Sequence, residues 1–261
     1  MSVWNAVVLA GDRGLTDPVA RAADVAGKAA VTFQNVALLE RVVSALQESR
    51  SVESIVVVGP AERVLSNSAL LASCLDDSRI NCLLPANSPS ASALKGMREA
   101  GNRPTLLLTC DLPLLSGELI DNFCLRMESL DADFVATAVD YNCIATFLPG
   151  IKKTVYRFKG KQVCFANLFA VLSEPGLHVI EYWQDIENSR KRPFDIIKKI
   201  DWKSLLAYKL GFLALDQVAG TLSKKTGANI MISPSDVANY ALDVDSADDY
   251  LIFQDYFNRL D

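Results

Sequence analysis

The sequence of 261 residues predicts an α/β fold in which a mostly parallel central sheet is flanked by helices, with an α/β insertion in the second half. Two observations support this prediction. Strand-like and helix-like segments alternate through the first half of the chain, and the strand-like segments are continuously apolar. Continuous hydrophobicity is typical of strands that are covered by helices on both faces, which is the situation of a parallel sheet.

The elements of the first half follow from local patterns. Short apolar runs predict strands, and apolar residues at helical spacing predict the helices between them. Strands are expected at 5–10, 54–60, 80–86 and 104–111, and helices at 38–47, near 61–74 and at 90–101.

Beyond residue 112 the pattern is looser. The sequence predicts a helix at 116–130, a strand at 133–140, shorter strands with basic turns over 142–170, helices near 177–189, 193–210 and 214–225, a strand in "ALDVDS" and a final helix in "ADDYLIFQDYFNRL". No repeat, low-complexity tract or linker is visible, so residues 1–261 are expected to form one domain that contains an insertion at 142–227.

The composition excludes several classes of protein. Half of the residues are hydrophobic and 22% are charged, as in an ordinary globular protein, and the net charge of -5 argues against nucleic-acid binding. There is no apolar run of membrane-spanning length and no signal-peptide pattern, so a cytoplasmic protein without a membrane partner is expected. The six cysteines lack CxxC spacing, which predicts reduced thiols rather than a zinc site.

The first predicted strand ends in "LAGDRG", and in parallel α/β sheets ligands bind at the carboxyl ends of strands. Gly11 and Gly14 allow a tight turn whose backbone amides can face an anion, and Arg13 can add positive charge. Two glycines also occur in many ordinary strand-to-helix turns. The loop is therefore a candidate anion site that needs support from other motifs.

Carboxylates follow two other predicted strands. Asp111 ends the strand before "LPLLS", and Asp243 and Asp245 alternate in "LDVDSADD", which would place both side chains on one face of a strand. Asp111 could also cap the next turn, and Asp245 or Ser246 could cap the final helix. Carboxylate oxygens are the ligands that Mg²⁺ prefers, so Asp111 and one of the later pair are candidate metal ligands.

Three stretches taken together resemble the MobA-like NTP transferases. They are "VVLAGDRG…GKAAVTFQNVALLERVVSAL", "TCDLPLLSGELID" and "LDVDSADDYL", and the resemblance covers residues 5 to about 140 and 228 to 256. It implies a Rossmann-like, GT-A-type nucleotidyltransferase fold. Asp12 departs from the glycine of the family pattern, and the long loop before Lys28 leaves both Arg13 and Arg21 as candidates for the family's arginine.

The resemblance implies a role for each matching residue. Lys28, Arg13 and Asp111 are the implied catalytic residues, with Lys28 beside the α-phosphate and Arg13 on the triphosphate. The implied nucleotide-binding residues are Leu9, Ala10, Gly11, Ser90 and Ser92, of which the serines read the base. Mg²⁺ is the implied cofactor, held by Asp111 together with Asp243 or Asp245.

The function that follows is Mg²⁺-dependent transfer of NMP from an NTP to a small phosphorylated acceptor, with release of pyrophosphate. Basic residues outnumber acidic ones over 150–200, so this part of the insertion is expected to bind the acceptor. The candidate acceptor-binding residues are Arg157, Asn167, Arg190 and Arg192. Two alternatives stay open at this point: a nucleotide-sugar glycosyltransferase, because "DVD" has the DxD form, and a catalytically silent nucleotide-binding protein, because of Asp12.

Overall fold

The computed structural model describes residues 2–11, 16–186 and 213–260. Its strands are β1 (Trp4–Leu9), β2 (Thr32–Phe33), β3 (Val36–Ala37), β4 (Val52–Val58), β5 (Ile80–Leu83), β6 (Thr105–Thr109), β7 (Phe134–Asp140), β8 (Tyr156–Phe158), β9 (Lys161–Val171) and β10 (Ile230–Ser235). Its α-helices are α1 (Pro18–Ala22), α2 (Leu38–Glu48), α3 (Glu62–Leu65), α4 (Ala69–Cys74), α5 (Pro89–Ala100), α6 (Gly117–Glu128), α7 (Tyr141–Phe147), α8 (Leu177–Ile186), α9 (Leu215–Thr226) and α10 (Ala247–Asn258). The helix predicted at 193–210 lies outside the described residues.

A single large sheet forms the centre of the molecule, with the strand order β10-β7-β9-β6-β1-β4-β5 and with β8 paired to β9. β1 runs parallel to β4 and β6, β4 runs parallel to β5, and β7 runs parallel to β10. Among the described residues, the antiparallel pairings of this sheet are those of β9 with β6, β7 and β8. The predicted Rossmann-like fold with a mostly parallel sheet is confirmed.

The sheet is covered on both faces, as the continuous hydrophobicity of its strands predicts. In β1, Ala6 and Val8 pack into one buried cluster, whereas Val7 lies in a second cluster on the opposite face. The first cluster contains the apolar side of α2, and the second contains the apolar side of α5. A strand that is buried on both faces needs apolar residues at every position, which is why these strands could be recognised without alternation.

The second half contains two corrections to the sequence predictions. The segment 142–170 follows the predicted short strands only in part. It begins with α7, which Asp140 caps by accepting a hydrogen bond of 2.8 Å from the amide of Asn142. The short strand β8 and a basic turn at Lys159 and Gly160 then lead into β9, which is a long strand. β9 lies between β6 and β7, so the predicted insertion at 142–227 contributes a strand to the middle of the sheet.

The second correction concerns "ALDVDS", which is not a strand. A 3-10 turn at Ala238–Ala241 leads into an irregular segment, where the amide of Val244 donates to the carbonyl of Asp111 at 3.0 Å. The carboxylate of Asp249 then accepts from the amides of Asp245 and Ser246, at 3.0 and 2.9 Å. These contacts provide acceptors for the backbone amides of Val244, Asp245 and Ser246, so these amides need no partner on a neighbouring strand.

Among the described residues, no helix is both long and apolar enough to cross a membrane. The six cysteines all lie in the described ranges, and none of them forms a disulfide there. Cys110, Cys124 and Cys164 are buried, whereas Cys82 is exposed.

Candidate active site

The loop that follows β1 is fixed by its neighbours on both sides. The amide of Ala10 donates to the carbonyl of Val58 at 2.9 Å, and the amide of Cys110 donates to the carbonyl of Leu9 at 3.1 Å. Ala10 is buried, whereas Gly11 is exposed, so the backbone at Gly11 is open to a ligand. Asp12, Arg13 and Gly14 lie outside the described residues, and Arg21 is exposed on α1.

Gly59, at the end of β4, packs directly against this loop. Its φ angle is +96°, and a Cβ atom at this position would lie 2.8 Å from the carbonyl carbon and oxygen of Ala10. Only glycine satisfies both conditions, since a side chain would push the loop out of place. The sequence gives Gly59 as the end of a strand, and nothing in the local pattern reveals its contact with Ala10.

Three carboxylates meet at the carboxyl end of the central strands. Asp111 follows β6 and is buried, and the hydroxyl of Thr109 donates to its Oδ1. Asp243 and Asp245 come from the irregular segment before α10, and oxygen atoms of the three side chains lie within 4.8 Å of one another. The prediction that these residues converge at one edge of the sheet is confirmed.

Lys28 lies in a 3-10 turn between α1 and β2, and its ammonium is inserted into this acidic cluster. The ammonium donates to Oδ2 of Asp111 and, at 3.0 Å, to Oδ1 of Asp245. Burial by itself lowers the pKa of Lys28, but the charges of Asp111 and Asp245 outweigh it and raise the pKa above its ordinary value. In this structure Lys28 therefore binds carboxylates, and its contact with a phosphate stays a prediction.

A second lysine, Lys153, reaches the cluster from the other side. Its ammonium donates to both the backbone carbonyl and the carboxylate Oδ1 of Asp243. The side-chain amide of Asn167, on β9, donates to the remaining carboxylate oxygen of Asp243 at 2.7 Å. Both oxygens of this carboxylate are thus occupied by protein donors.

The charges of this second pair influence each other. Burial raises the pKa of Asp243 and the charge of Lys153 opposes that increase. Burial by itself lowers the pKa of Lys153, whereas the charge of Asp243 raises it and prevails. The sequence analysis missed Lys153 as a site residue, since its partner lies 90 positions away and neither pattern points to the other.

The predicted base-reading serines are directed into the protein. Ser90 and Ser92 lie in the first turn of α5 and are buried, at 0% and 5% exposure. The hydroxyl of Ser92 accepts from the amide of Ala86 at 3.0 Å, and the hydroxyls of Ser88 and Ser90 lie 3.0 Å apart. These contacts fix the loop before α5, and a contact of either serine with a base stays a prediction.

The predicted acceptor-binding residues fall into three situations. Asn167 contacts Asp243, as described above, and is therefore part of the carboxylate cluster. Arg157 is exposed on β8, where it pairs in register with Gln162 of β9. Arg190 and Arg192 lie outside the described residues.

The donor set fits a Mg²⁺ ion. Mg²⁺ binds hard oxygen ligands, usually one or two carboxylates together with water and phosphate oxygens. The ammonium of Lys28 already marks a point that is shared by oxygens of Asp111 and Asp245 and that accepts a cation. Asp111 and Asp245 are thus the residues best placed to hold the metal, because the ammonium of Lys28 lies between them, whereas the cation that Asp243 binds is the ammonium of Lys153.

Sequence comparison supports the resemblance found in the motifs. Residues 6–187 match the model of the MobA-like NTP transferase domain. Among curated proteins, no match is found.

Several solved structures are similar to the whole chain. A hypothetical transferase from Thermus thermophilus has a TM-score of 0.76 at 22% identity, covering 96% of this chain and 100% of its own. A 4-diphosphocytidyl-2C-methyl-D-erythritol synthase from Anaerococcus prevotii has a TM-score of 0.59 at 12% identity, covering 99% and 97%. A nucleotidyl transferase from Methanothermobacter has a TM-score of 0.57 at 16% identity, covering 100% of both chains. At these identities the similarity concerns the fold.

Proposed function

The chain belongs to the family of MobA-like NTP transferase domains and is a nucleotidyltransferase, and from this premise we propose that it transfers NMP from an NTP to a small phosphorylated acceptor. The reaction depends on Mg²⁺ and releases pyrophosphate. The acceptor phosphate attacks the α-phosphorus of the NTP, and the bond from that phosphorus to the bridging oxygen of pyrophosphate breaks. A phosphate acceptor is already anionic, so the attack needs no general base.

The observation that carries this proposal is the position of Lys28. Its ammonium is shared between Asp111 and Asp245, and Cys110, the residue before Asp111, donates to the carbonyl of Leu9 at the start of the loop of Leu9, Ala10 and Gly11. A cation-binding cluster beside an exposed backbone turn is the combination that a metal-bound triphosphate requires.

Each residue then has a defined task. Asp111 and Asp245 hold Mg²⁺, which supplies, when bound, neutralisation of the charge on the reacting phosphates. Lys28 leaves the carboxylates and donates to an oxygen of the α-phosphate, where negative charge increases during the transfer. Gly11 offers its backbone to the nucleotide, and Gly59 keeps that backbone in place.

The acceptor binds on the side of the molecule formed by the second half. Residues 150–200 carry an excess of positive charge in a chain whose net charge is -5, and Arg157 is exposed there on β8. Arginine can bind a phosphate with two parallel hydrogen bonds, which suits a phosphorylated substrate. We place the enzyme in the cytoplasm, where NTPs and such acceptors are available.

The experiment that tests the function measures pyrophosphate release. The purified protein is incubated with each of the four NTPs and a pool of phosphorylated metabolites, in Mg²⁺ or in EDTA. CTP is the first nucleotide to try, because one structural neighbour is named for a diphosphocytidyl product. Release that needs an acceptor and Mg²⁺ supports the proposal, and Asp111→Asn is the inactive control. Nucleotide binding without turnover would contradict it, as would the transfer of sugar from a nucleotide-sugar.

A further inference from the structure

Lys153 is bonded to oxygens of the kind that bind divalent cations. Its ammonium contacts the backbone carbonyl and the carboxylate of the same residue, Asp243. The side chain of Lys153 is only 7% exposed, so that water takes little part in its surroundings. Carbonyl and carboxylate oxygens are the ligands of Mg²⁺ and related ions. The ammonium therefore occupies a point that would otherwise attract a small cation.

Further negative charge lies around this ammonium. Asp249 is 2% exposed, and its Oδ1 accepts no hydrogen bond from any described residue. Burial lowers the pKa of Lys153, but the charge of Asp243, followed by those of Asp249 and Asp245, raises it. One ammonium thus compensates several carboxylates on this side of the cluster.

The cluster contains enough oxygen ligands for more than one ion. Enzymes that use two metal ions hold them about 3.5–4 Å apart between shared carboxylates. Here the oxygens of Asp111, Asp243 and Asp245 lie within 4.8 Å of one another, and the ammonium groups of Lys28 and Lys153 bind to different members of this set. Lys28 has one enclosed partner, Asp111, and one partner, Asp245, whose side chain is 60% exposed, whereas Lys153 and its partner are both enclosed.

We propose that the ammonium of Lys153 takes the place of a second divalent cation, so that the site binds one metal ion where its carboxylates would otherwise bind two. The inference rests on the proposed function and concerns the same site. Lys153 is a positioning residue that acts through Asp243: it holds this carboxylate in the protein and leaves Asp111 and Asp245 to the metal.

The experiment counts Mn²⁺ ions bound per chain, by the EPR signal of free Mn²⁺, in the presence of a non-hydrolysable NTP analogue. We expect one ion in the wild type, two in Lys153→Met and one in Lys152→Met. Lys152 is the matched control, because it also pairs with an aspartate of the same region, Asp248, at 3.2 Å, but with side chains that are 84% and 68% exposed. The double variant Lys153→Met, Asp243→Asn removes both charges and should bind one ion, as the wild type does.

Two ions in the wild type would overturn the inference, and so would a single ion in folded Lys153→Met. If Lys153→Met does not fold, Lys153→Gln, which also removes the charge, takes its place: two ions support the inference and one ion overturns it. No ion in the double variant also overturns it, because Asp243 would then be a ligand of the first ion. The difference in the number of bound ions between Lys153→Met and the wild type can be measured whether or not the protein catalyses the proposed reaction. A wild type that binds none, beside a Lys153→Met protein that binds one, would support the role of Lys153 and refute the Mg²⁺-dependent function.

Discussion

The two lysine pairs of the site are built differently. Lys28 shares its ammonium between two partners, Asp111, whose side chain is 8% exposed, and Asp245, whose side chain is 60% exposed. Lys153 pairs with Asp243, where the two side chains are 7% and 12% exposed and Asn167 occupies the remaining oxygen. An exposed ion pair contributes little and can be exchanged, whereas breaking a buried pair leaves a charge without compensation. Because one of its two partners is exposed, the Lys28 side can rearrange around a ligand through Asp245, whereas the Lys153 side, whose two members are both enclosed, is a fixed support.

The largest effect is expected for Asp243→Asn, which tests whether the Lys153 side is a fixed support. The substitution leaves the buried ammonium of Lys153 without its carboxylate, so we expect the free energy of unfolding to fall by about 3–5 kcal/mol. Urea denaturation measures the change. The control is Asp248→Asn, which removes the exposed partner of Lys152 and should cost less than about 1 kcal/mol. If both variants lose the same free energy of unfolding, the Lys153–Asp243 pair stabilises the fold no more than a surface ion pair does.

Asp111→Asn tests the side that rearranges. The variant removes a proposed metal ligand and keeps the shape of the side chain, so kcat/KM should fall about 10³-fold, or about 4 kcal/mol. Asp245 still compensates the ammonium of Lys28, so the free energy of unfolding should fall less than in Asp243→Asn. Pyrophosphate release and urea denaturation are measured together. Asp255→Asn is the control, since Asp255 pairs with Arg259 at the surface. Full activity of Asp111→Asn would remove Asp111 from the mechanism.

Lys28→Ala separates catalysis from binding on the same side. If Lys28 donates mainly to charge that increases during transfer, kcat should fall about 10²-fold while the KM for NTP changes much less. Steady-state kinetics at saturating Mg²⁺ give both values, and the exposed Lys224→Ala is the control. An unchanged kcat would mean that Lys28 serves only the carboxylates it contacts in this structure.

Asn167→Ala sharpens the comparison on the fixed side. Loss of its 2.7 Å hydrogen bond leaves an oxygen of Asp243 unpaired, which should cost about 2 kcal/mol of unfolding free energy. Asn81→Ala, which removes an exposed hydrogen bond to Glu99, should cost about 0.5 kcal/mol or less. A rise in acceptor KM without loss of stability would instead favour the predicted role of Asn167 in acceptor binding.

The smallest effect is expected at Arg157. An exposed guanidinium that contacts an acceptor phosphate should contribute about 1 kcal/mol, so Arg157→Ala should raise the acceptor KM about fivefold and leave the KM for NTP unchanged. Lys161→Ala, at the exposed start of β9, is the matched control. Equal effects of Arg157→Ala on both KM values would mean that the acceptor binds elsewhere.

The sequence was most informative where burial alone decides the pattern. In β1, every residue from Trp4 to Val8 is buried and only Asn5 among them is polar, so a nearly continuous apolar run could be recognised as a strand. It was less informative in the second half, because the position of β9 between β6 and β7 depends on pairing with strands more than 20 positions away. In the irregular segment around Asp243, apolar and acidic residues alternate as they would in a strand. Its backbone amides instead donate to the carbonyl of Asp111 and the carboxylate of Asp249.

The sequence by itself determined the parallel half of the sheet, the glycine-containing loop after it and the three aspartates, since each depends on residue types at short spacing. Only the tertiary structure decided which side chains meet: Lys28 with Asp111, Lys153 with Asp243, and Gly59 with Ala10. The physical reason is that a local pattern records how a residue is buried, whereas a contact across 83 or 90 positions depends on where the sheet brings its strands together.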